Sequence, residues 1–352
     1  MAHGARGRIL SDERTATKPA EYARRVSAVE LPPTAREFVD RYDRVVGERD
    51  RFLWKWIHNL FEEFTLSCVP TRELPAVYER KTLLTIFVTV LDDLAESGDD
   101  RATFEVGRRI PFGAAVAGDG SEATGVDPRS VDDGVDSPVD DGVDSPVVRY
   151  LADLWDAIDV GIRNAPRHGE FVDVFEYDLR QTFNAMAYSG LLNANPMIAN
   201  RAESERHDAY NMAMFPYACI DLMHSPSFDR SEFGALRSIL CDLQLMARIG
   251  NWITTWEREL AEGDISSGVV VCALRRDVVT HEEIVEAEPG DVTRLVDRIR
   301  SHGIESEFTR EWEIRDRTVR KRTEELDSVD AERIVDGVEA VMSHHLASEG
   351  YK

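Results

Sequence analysis

The sequence predicts an all-α fold, and two observations carry that prediction. Apolar residues recur at three- and four-residue intervals through most of the chain, as in residues 51–64 and 171–192. This spacing is typical of helices with one buried face. No segment shows the strict alternation of apolar and polar residues that is typical of strands, and the sequence contains no glycine-rich phosphate loop. We therefore expect a bundle of helices around one large core or two modest ones.

The charge of the chain excludes several partners. Its 352 residues carry a formal net charge of −24, and the basic residues are nearly all arginine. Such acidity disfavours binding to nucleic acid and to anionic membrane surfaces, which are themselves negatively charged. Strong acidity with few lysines indicates adaptation to high salt, where screening removes most of the self-repulsion. We expect a cytoplasmic protein of a halophilic organism.

The positions of the cysteines and the hydropathy of the chain exclude further classes of protein. The four cysteines lie far apart in the chain, so neither a zinc site nor a disulfide framework is predicted. No apolar run approaches the roughly 18 residues that a membrane span requires. The N-terminus also lacks the apolar segment of a secretory signal. We expect no integral membrane segment.

The first part of the chain divides into an arm and the start of the helical domain. Residues 1–34 are polar and contain Pro19, Pro32 and Pro33, so we expect a loosely held N-terminal arm. Residues 35–352 are predicted to form a single helical domain. Its strongest early helix, residues 51–64, carries a stripe of large apolar and aromatic side chains. Core packing is the simplest role for those aromatic residues, and lining a ligand cavity is the alternative.

The next predicted helix, residues 77–97, is apolar in its middle and ends in Asp92, Asp93 and Glu96, here called the acidic motif. These carboxylates lie three and four residues apart, so they cluster at one helix end. Like charges repel there, and the negative end of the helix dipole adds to the repulsion. A divalent cation bound between them would remove that repulsion. The alternative is that Asp92 begins a solvated loop.

Residues 113–147 are of low complexity and predict an acidic loop. The octapeptide VDDGVDSP at residues 131–138 is repeated letter for letter at residues 139–146. Two copies rich in Asp, Gly and Pro cannot build a core and are too few for a repeat fold. Helical spacing resumes after the loop. The remaining predicted helices span residues 148–162, 171–192, 202–223 with a kink or break at Pro216, 233–260, 268–274, 281–302, 306–326 and 331–348.

The helix at residues 233–260 carries Asn251, Thr255, Arg258 and Glu259, here called the polar motif. At about 100° per residue these four side chains fall within roughly 100° of one another around the helix axis. An amide oxygen, a hydroxyl and a carboxylate on one face suit a hard cation such as Mg²⁺, which keeps positions open for phosphate oxygens. The arginine adds a donor fork that matches phosphate. A solvated helix face is the alternative.

Together the two motifs resemble those of class I terpene synthases of the bacterial type. The acidic motif resembles the aspartate-rich motif of that family, and the polar motif resembles its second metal-binding motif. The separation of the two motifs is close to the family's once the repeat is set aside, and the resemblance covers roughly residues 50–352. It implies a helical bundle around a central active-site cavity. It also implies Mg²⁺, as three ions, and a prenyl diphosphate substrate, either farnesyl or geranylgeranyl diphosphate.

The chain departs from the family pattern at three places. The acidic motif ends in Glu96 where the family has aspartate, and Trp252 stands where the polar motif usually has an acid. The chain ends in Tyr351-Lys352 where the family has an arginine–tyrosine pair. The family's diphosphate-sensing arginine corresponds by spacing to Arg206, but an alignment through Asn211 is equally acceptable and leaves no arginine there.

The resemblance implies that diphosphate leaves a linear prenyl chain and that the resulting carbocation cyclises. Mg²⁺ and arginine donors would stabilise the leaving group, and aromatic side chains would wall a dry cavity around the cation. The implied metal ligands are Asp92, Glu96, Asn251, Thr255 and Glu259, and Asp93 joins them as a catalytic residue. The implied diphosphate donors are Arg206, Arg258, Tyr351 and Lys352. The candidate cavity aromatics are Phe87, Phe183, Phe215, Trp252 and Trp256.

Two other functions remain open at this point. A prenyl diphosphate synthase of similar fold would carry a second aspartate-rich motif in place of the polar motif, which this chain does not. A non-catalytic helical protein that binds prenyl diphosphate is compatible with the altered motifs. The sequence does not give the prenyl length, the product skeleton or whether water ends the reaction, and it leaves a homodimer open.

Overall fold

The computed structural model describes residues 19–97, 100–113 and 145–347, and every regular element within these ranges is helical. The prediction of an all-α fold is therefore confirmed for the described part of the chain. Residues 114–144, which include all of the acidic repeat except its last two residues, the Glu96 side chain, and Tyr351 and Lys352 lie outside the described residues. The α-helices are α1 (Pro19–Ser27), α2 (Pro33–Val45), α3 (Arg51–Phe64), α4 (Leu74–Ser97), α5 (Arg101–Gly107), α6 (Pro146–Arg163), α7 (His168–Ala194), α8 (Arg201–Arg206), α9 (Met214–Met223), α10 (Phe233–Ala261), α11 (Gly268–Arg275), α12 (His281–Val285), α13 (Pro289–Ser301), α14 (Ile304–Arg320) and α15 (Ala331–Ala347).

Helices α4 and α10 run through the core. The middle of α4 buries Leu84, Phe87 and Leu91 completely, and the helix packs against α3, α6 and α7. Helix α10 buries apolar side chains along its length and packs against α9, α11, α14 and α15. A helix that is apolar on most sides needs neighbours on most sides, which places α4 and α10 at the centre of the bundle. None of the helices in the described ranges combines the length and hydropathy that a membrane crossing requires.

The N-terminal region differs from the expectation of a loosely held arm up to residue 34. Helix α1 packs against α3 and α15, and its Tyr22 and Val26 are completely buried. The Tyr22 ring stacks on His344 of α15 with ring centroids 4.4 Å apart. The region reads as polar because only one face of this short helix carries apolar residues, which suffices to attach it to the domain.

Two predicted helical segments are divided differently from the prediction: the interruption expected at Pro216 lies earlier, at residues 208–213, and the segment 281–302 is two helices instead of one. The segment 202–223 is divided by a 3₁₀ turn, Asp208–Met212, and by Ala213, whose φ of 51° is left-handed. Pro216 is accommodated in the first turn of α9, where its missing N–H costs nothing. The segment 281–302 is divided into α12 and α13 because Pro289 begins a new helix.

Helices α3 and α15 cross at very close range. A Cβ atom added at Gly337 would lie 2.1 Å from the backbone carbonyl oxygen of Glu63 and 3.4 Å from the Cα of Phe64. Backbone atoms cannot move aside as a flexible side chain can, so only glycine fits at this crossing. The contact holds α15 against α3, which matters because both helices border the cavity described below.

We predict that Gly337→Ala lowers the free energy of unfolding by about 2–3 kcal/mol, because the added methyl group forces the two helices apart. Gly234→Ala on α10 is the matched control, since no atom lies within 4 Å of the added Cβ. The control should gain about 0.5–1 kcal/mol from the higher helix propensity of alanine. Urea denaturation in molar KCl measures both. Equal effects of the two substitutions would contradict the packing of α15 on α3.

Candidate functional site

A cavity of about 730 Å³ lies between α3, α4, α9, α10 and α15. This volume is within the range of pockets that enclose small organic ligands. One part of its wall is polar and the rest is mostly apolar. The polar lining residues are Arg49, Thr85, Thr89, Asp92, Asn211, Arg248, Asn251, Thr254, Thr255, Glu257, Arg258, Glu259 and Asp264, and the apolar ones, with Tyr217, are Leu53, Trp56, Ile57, Leu60, Phe61, Phe64, Val88, Met212, Met214, Ala247, Ile253, Trp256, Val338 and Val341.

All four members of the polar motif line this cavity. Asn251, Thr255 and Glu259 follow one another at four-residue intervals along α10, so they form a row on one side of the helix. The Thr255 hydroxyl donates to the backbone carbonyl of Asn251 at 2.8 Å, which leaves its oxygen lone pairs free to face the cavity. The Arg258 side chain is 61% exposed and bonds Glu262, so it lies at the mouth.

Helix α4 contributes Asp92 to the lining of the same cavity. Thr85, Val88, Thr89 and Asp92 follow the i, i+3, i+4, i+7 spacing of one helix face, and together they form the cavity face of that helix. The Asn211 side-chain amide donates to Asp92 Oδ1 at 3.1 Å and fixes the carboxylate in place. The first residue of the acidic motif and the polar motif therefore face one cavity, although 158 residues intervene in the chain between Asp92 and Asn251.

The second residue of the acidic motif has a different environment. Asp93 accepts hydrogen bonds from the Tyr42 hydroxyl and from the Arg49 guanidinium, and it is not among the described residues that line the cavity. Its partner Arg49 does line the cavity. The neighbouring positions on a helix point about 100° apart, so Asp92 and Asp93 cannot both face the cavity squarely.

Arg248 is the central cation of the site, and the sequence reading did not include it. Its Nη1 donates to Asn251 Oδ1 at 2.7 Å, while Nε and Nη2 donate to the two carboxylate oxygens of Asp208 at 2.7 and 2.8 Å. Burial alone would lower the pKa of Arg248, but Asp208 raises it above the ordinary value, so the guanidinium stays charged. Its position three residues before Asn251, one turn away on the same helix, is the signal that could have revealed it.

Asp208 anchors this arginine from behind the cavity. The carboxylate is completely buried and also accepts hydrogen bonds from Trp252 Nε1 at 3.0 Å and from the Ser189 hydroxyl at 3.2 Å. The expectation that Trp252 walls the cavity therefore does not agree with the structure. Its indole turns to the side of α10 that packs on α14, where it contacts the edge of the Phe308 ring.

Three further aromatic candidates also lie away from the cavity wall. Phe87 and Phe183 contact each other in the core, and Phe215 stacks on Tyr210. The structure places only Trp256 of the five candidates on the wall. The other aromatic lining residues are Trp56, Phe61, Phe64 and Tyr217. The first three belong to the aromatic stripe of residues 51–64, for which a cavity role was the alternative to core packing.

Of the two candidate diphosphate donors within the described residues, one lies at the cavity and the other does not. Arg258 lies at the cavity mouth, whereas Arg206 is exposed at the end of α8 and is not among the lining residues. Arg206 is remote because the chain turns after it through the segment Asp208–Met212, which brings Asn211 to the cavity instead. The arginines that line the described cavity are Arg49, Arg248 and Arg258.

Burial raises the pKa of both carboxyl groups at the polar end of the cavity, those of Asp92 and Glu259. Burial raises the pKa of Asp92 to about 6, against the opposing effects of Arg248 and of the Asn211 hydrogen bond. Burial raises the pKa of Glu259 to about 7, and Arg248 again opposes the shift. The single positive charge of Arg248 thus acts on three carboxyl groups, those of Asp92, Asp208 and Glu259. It cannot neutralise all of their negative charge.

The donor chemistry of this end suits magnesium. Within the described ranges no group of three or more His, Cys, Asp or Glu side chains has a geometry that could hold a metal ion. The cavity instead offers a mixed set of oxygens from Asp92, Asn251, Thr255 and Glu259. Mg²⁺ requires oxygen ligands and is usually bound by one or two carboxylates together with substrate phosphates and water. The uncompensated negative charge favours such a cation, so the residues fit the metal.

We predict that Glu259→Gln stabilises the metal-free protein. The carboxyl pKa is about 7 in the folded chain and 4.5 ordinarily, so wild-type stability is lost as the pH rises from about 4.5 to about 7 and is constant above that. The glutamine side chain does not titrate. The free energy of unfolding of the variant should therefore exceed that of the wild type by an amount that grows over this pH range to about 2–3 kcal/mol. Denaturation in EDTA at several pH values measures it.

Glu262→Gln is the control, because the Glu262 side chain is 56% exposed and lies at the end of the same helix. Its effect on stability should be small. An advantage of Glu259→Gln that is already complete at pH 4, or that is absent at pH 8, would contradict the burial of this carboxylate.

The comparisons with known proteins add no family to this description. No protein-family model matches the chain, and no curated protein matches it significantly. The cavity has an oxygen-rich end with three arginines, and the remainder of its wall is mostly aromatic and aliphatic.

Proposed function

We propose that the protein is a class I terpene synthase, which ionises a linear prenyl diphosphate with loss of diphosphate and cyclises the cation. One observation carries the proposal. Asp92 of α4 and the polar motif of α10 line one cavity whose other walls are apolar and aromatic. A prenyl diphosphate has the same division, with a highly charged head and a long hydrocarbon tail. The resemblance of both motifs to that family supports the assignment independently of the cavity's shape.

The polar end of the cavity would hold the diphosphate together with Mg²⁺. Asp92, Asn251, Thr255 and Glu259 are the residues that would hold the metal. Bound Mg²⁺ supplies Lewis-acid stabilisation to the leaving oxygens. Asn251 can serve although Arg248 already donates to its Oδ1, because an amide oxygen has two lone pairs.

Three arginines would add hydrogen-bond donors to the same anion. Arg248 is held by Asp208 and is positioned before any ligand arrives, so it needs little reorganisation when charge develops on the leaving group. Arg49 and Arg258 are more exposed and bond to Asp93 and Glu262 respectively. These two side chains can turn toward a bound diphosphate without disturbing the core. Charge-assisted bonds of this kind are roughly twice as strong as neutral ones.

The apolar end would hold the hydrocarbon chain and shield the cation from bulk water. Trp56, Phe61, Phe64 and Trp256 present aromatic surface there, and their ring faces attract positive charge. Leu60, Val338 and their aliphatic neighbours supply the rest of the wall. A chain folded against these surfaces can bring its own double bonds to the cation, and this is what cyclisation requires.

We predict diphosphate release from farnesyl or geranylgeranyl diphosphate in molar KCl, with Mg²⁺ required and EDTA abolishing the reaction. Mass spectrometry of the extracted products should find a hydrocarbon or a terpene alcohol. A longer prenyl diphosphate would identify a chain-elongating synthase instead. Tight binding of the substrate without turnover would identify a non-catalytic binding protein. Either result would contradict the proposed function.

Two substitutions test which residues serve the reaction. Asn251→Ala should lower kcat at least 100-fold, because it removes a metal ligand and the Arg248 partner together. Arg206→Ala should leave kcat within about twofold, because Arg206 is exposed and remote from the cavity lining. Equal losses in both variants, with both folded by circular dichroism, would contradict the site described above.

A further inference from the structure

The apolar part of the cavity contains one hydroxyl pair that the proposed reaction has not used. Tyr217 of α9 and Thr85 of α4 both line the cavity, and their hydroxyl oxygens lie 2.7 Å apart. Around them the wall is aromatic: the Tyr217 ring contacts Phe61 and Phe64 with centroids 5.5 and 6.1 Å away. Thr85 lies seven residues before Asp92 on the same helix, which is about 10 Å along the axis. The pair is therefore remote from the diphosphate end.

The direction of the hydrogen bond within this pair follows from a third atom. The Thr85 hydroxyl donates its only proton to the backbone carbonyl of Lys81 at 2.8 Å. It must therefore accept from Tyr217, which donates its own proton to Thr85. Both hydroxyl protons are consumed, so the free lone pairs of the two oxygens are available to the cavity only as acceptors.

The Tyr217 hydroxyl remains a neutral phenol under ordinary conditions. Burial raises its pKa to about 12. The ammonium group of Lys81 does not compete for the pair, because it bonds Asp221 and the Thr65 hydroxyl. The cavity thus presents two adjacent neutral acceptors beside the aromatic rings of Phe61 and Phe64.

We propose that Tyr217 and Thr85 hold one water molecule that captures the carbocation, so that the product is a terpene alcohol. A water that donates one proton to each acceptor is oriented with its own lone pairs toward the cavity. Two acceptors and a roomy cavity meet the requirements for an ordered water. The inference rests on the proposed function.

The step balances as follows. The water oxygen forms a bond to the cationic carbon and gives a protonated alcohol. Its extra proton passes through cavity water to an oxygen of the released diphosphate, which is the final base. No oxidant or reductant is needed. Because the pair lies about 10 Å from Asp92, capture occurs at a carbon remote from the one that carried the diphosphate. The hydroxyl group should therefore lie neither at C1 nor at C3 of the prenyl chain, the positions that uncatalysed hydrolysis produces.

The test is a reaction in H₂¹⁸O with farnesyl and geranylgeranyl diphosphate, measuring both diphosphate release and products. The wild type should give an ¹⁸O-labelled alcohol with its hydroxyl at a remote carbon. Tyr217→Phe removes one oxygen and keeps the ring, and the alcohol share should fall at least tenfold in favour of hydrocarbon. Thr85→Ser retains the acceptor and should retain the alcohol, whereas Thr85→Val should lose it even if Tyr217→Phe fails to fold.

Tyr210→Phe is the matched control, since Tyr210 stacks on Phe215 and is not among the described lining residues. Its alcohol share should equal that of the wild type. An unchanged alcohol share in Tyr217→Phe and Thr85→Val, or only hydrocarbon from the wild type, would overturn the inference and leave the proposed function standing. Absence of diphosphate release from the wild type would overturn both, so the two failures are distinguishable.

Discussion

The site depends on how one guanidinium is shared among buried carboxylates. Arg248 is almost fully buried. Two of its guanidinium nitrogens donate hydrogen bonds to Asp208 and the third donates to Asn251. Its positive charge also lowers the pKa of Asp92 and of Glu259 against the effect of burial. Burying several carboxylates around a single cation is costly, since desolvation of each charge is repaid only by close pairing. Asp208 receives that close pairing, whereas Asp92 and Glu259 do not. The cavity therefore contains an incomplete charge balance that a bound cation would complete.

The same arrangement explains why the cavity has two chemically different ends. Helices α4 and α10 bury mostly apolar side chains as they pass through the core, and Asp92 and the polar motif lie toward their C-terminal ends. Residues from Thr85 to Asp92 on α4 and from Asn251 to Glu259 on α10 line the cavity. Between them, α3 and α15 contribute aromatic and aliphatic surface, held together at the Gly337 crossing.

Much of this could be predicted from the sequence, for a physical reason. Helical spacing and the rows of oxygen-bearing residues at four-residue intervals are local properties, so the all-α fold and the grouping of Asn251, Thr255 and Glu259 follow from the chain itself. Which face of a helix lines the cavity depends on packing against segments that are distant in the chain. Trp252 contacts Phe308 and Asp208, and Phe87 contacts Phe183. These partners come from segments far along the chain, so the spacing within one helix does not reveal them. Arg248 was missed because its role depends on Asp208, which a single-helix pattern does not contain.

The central claim is that Asp92 and the polar motif bind one metal–diphosphate assembly. The most direct measurement is anomalous diffraction from crystals grown with Mn²⁺ and inorganic diphosphate, since Mn²⁺ shares the preference of Mg²⁺ for oxygen ligands. The account predicts anomalous peaks inside the cavity, about 2.0–2.3 Å from oxygens of Asp92 on one side and of Asn251 and Glu259 on the other, with diphosphate between them and Arg248. Peaks confined to the acidic outer surface, with Arg248 and Asn251 unchanged and the cavity free of metal, would contradict it.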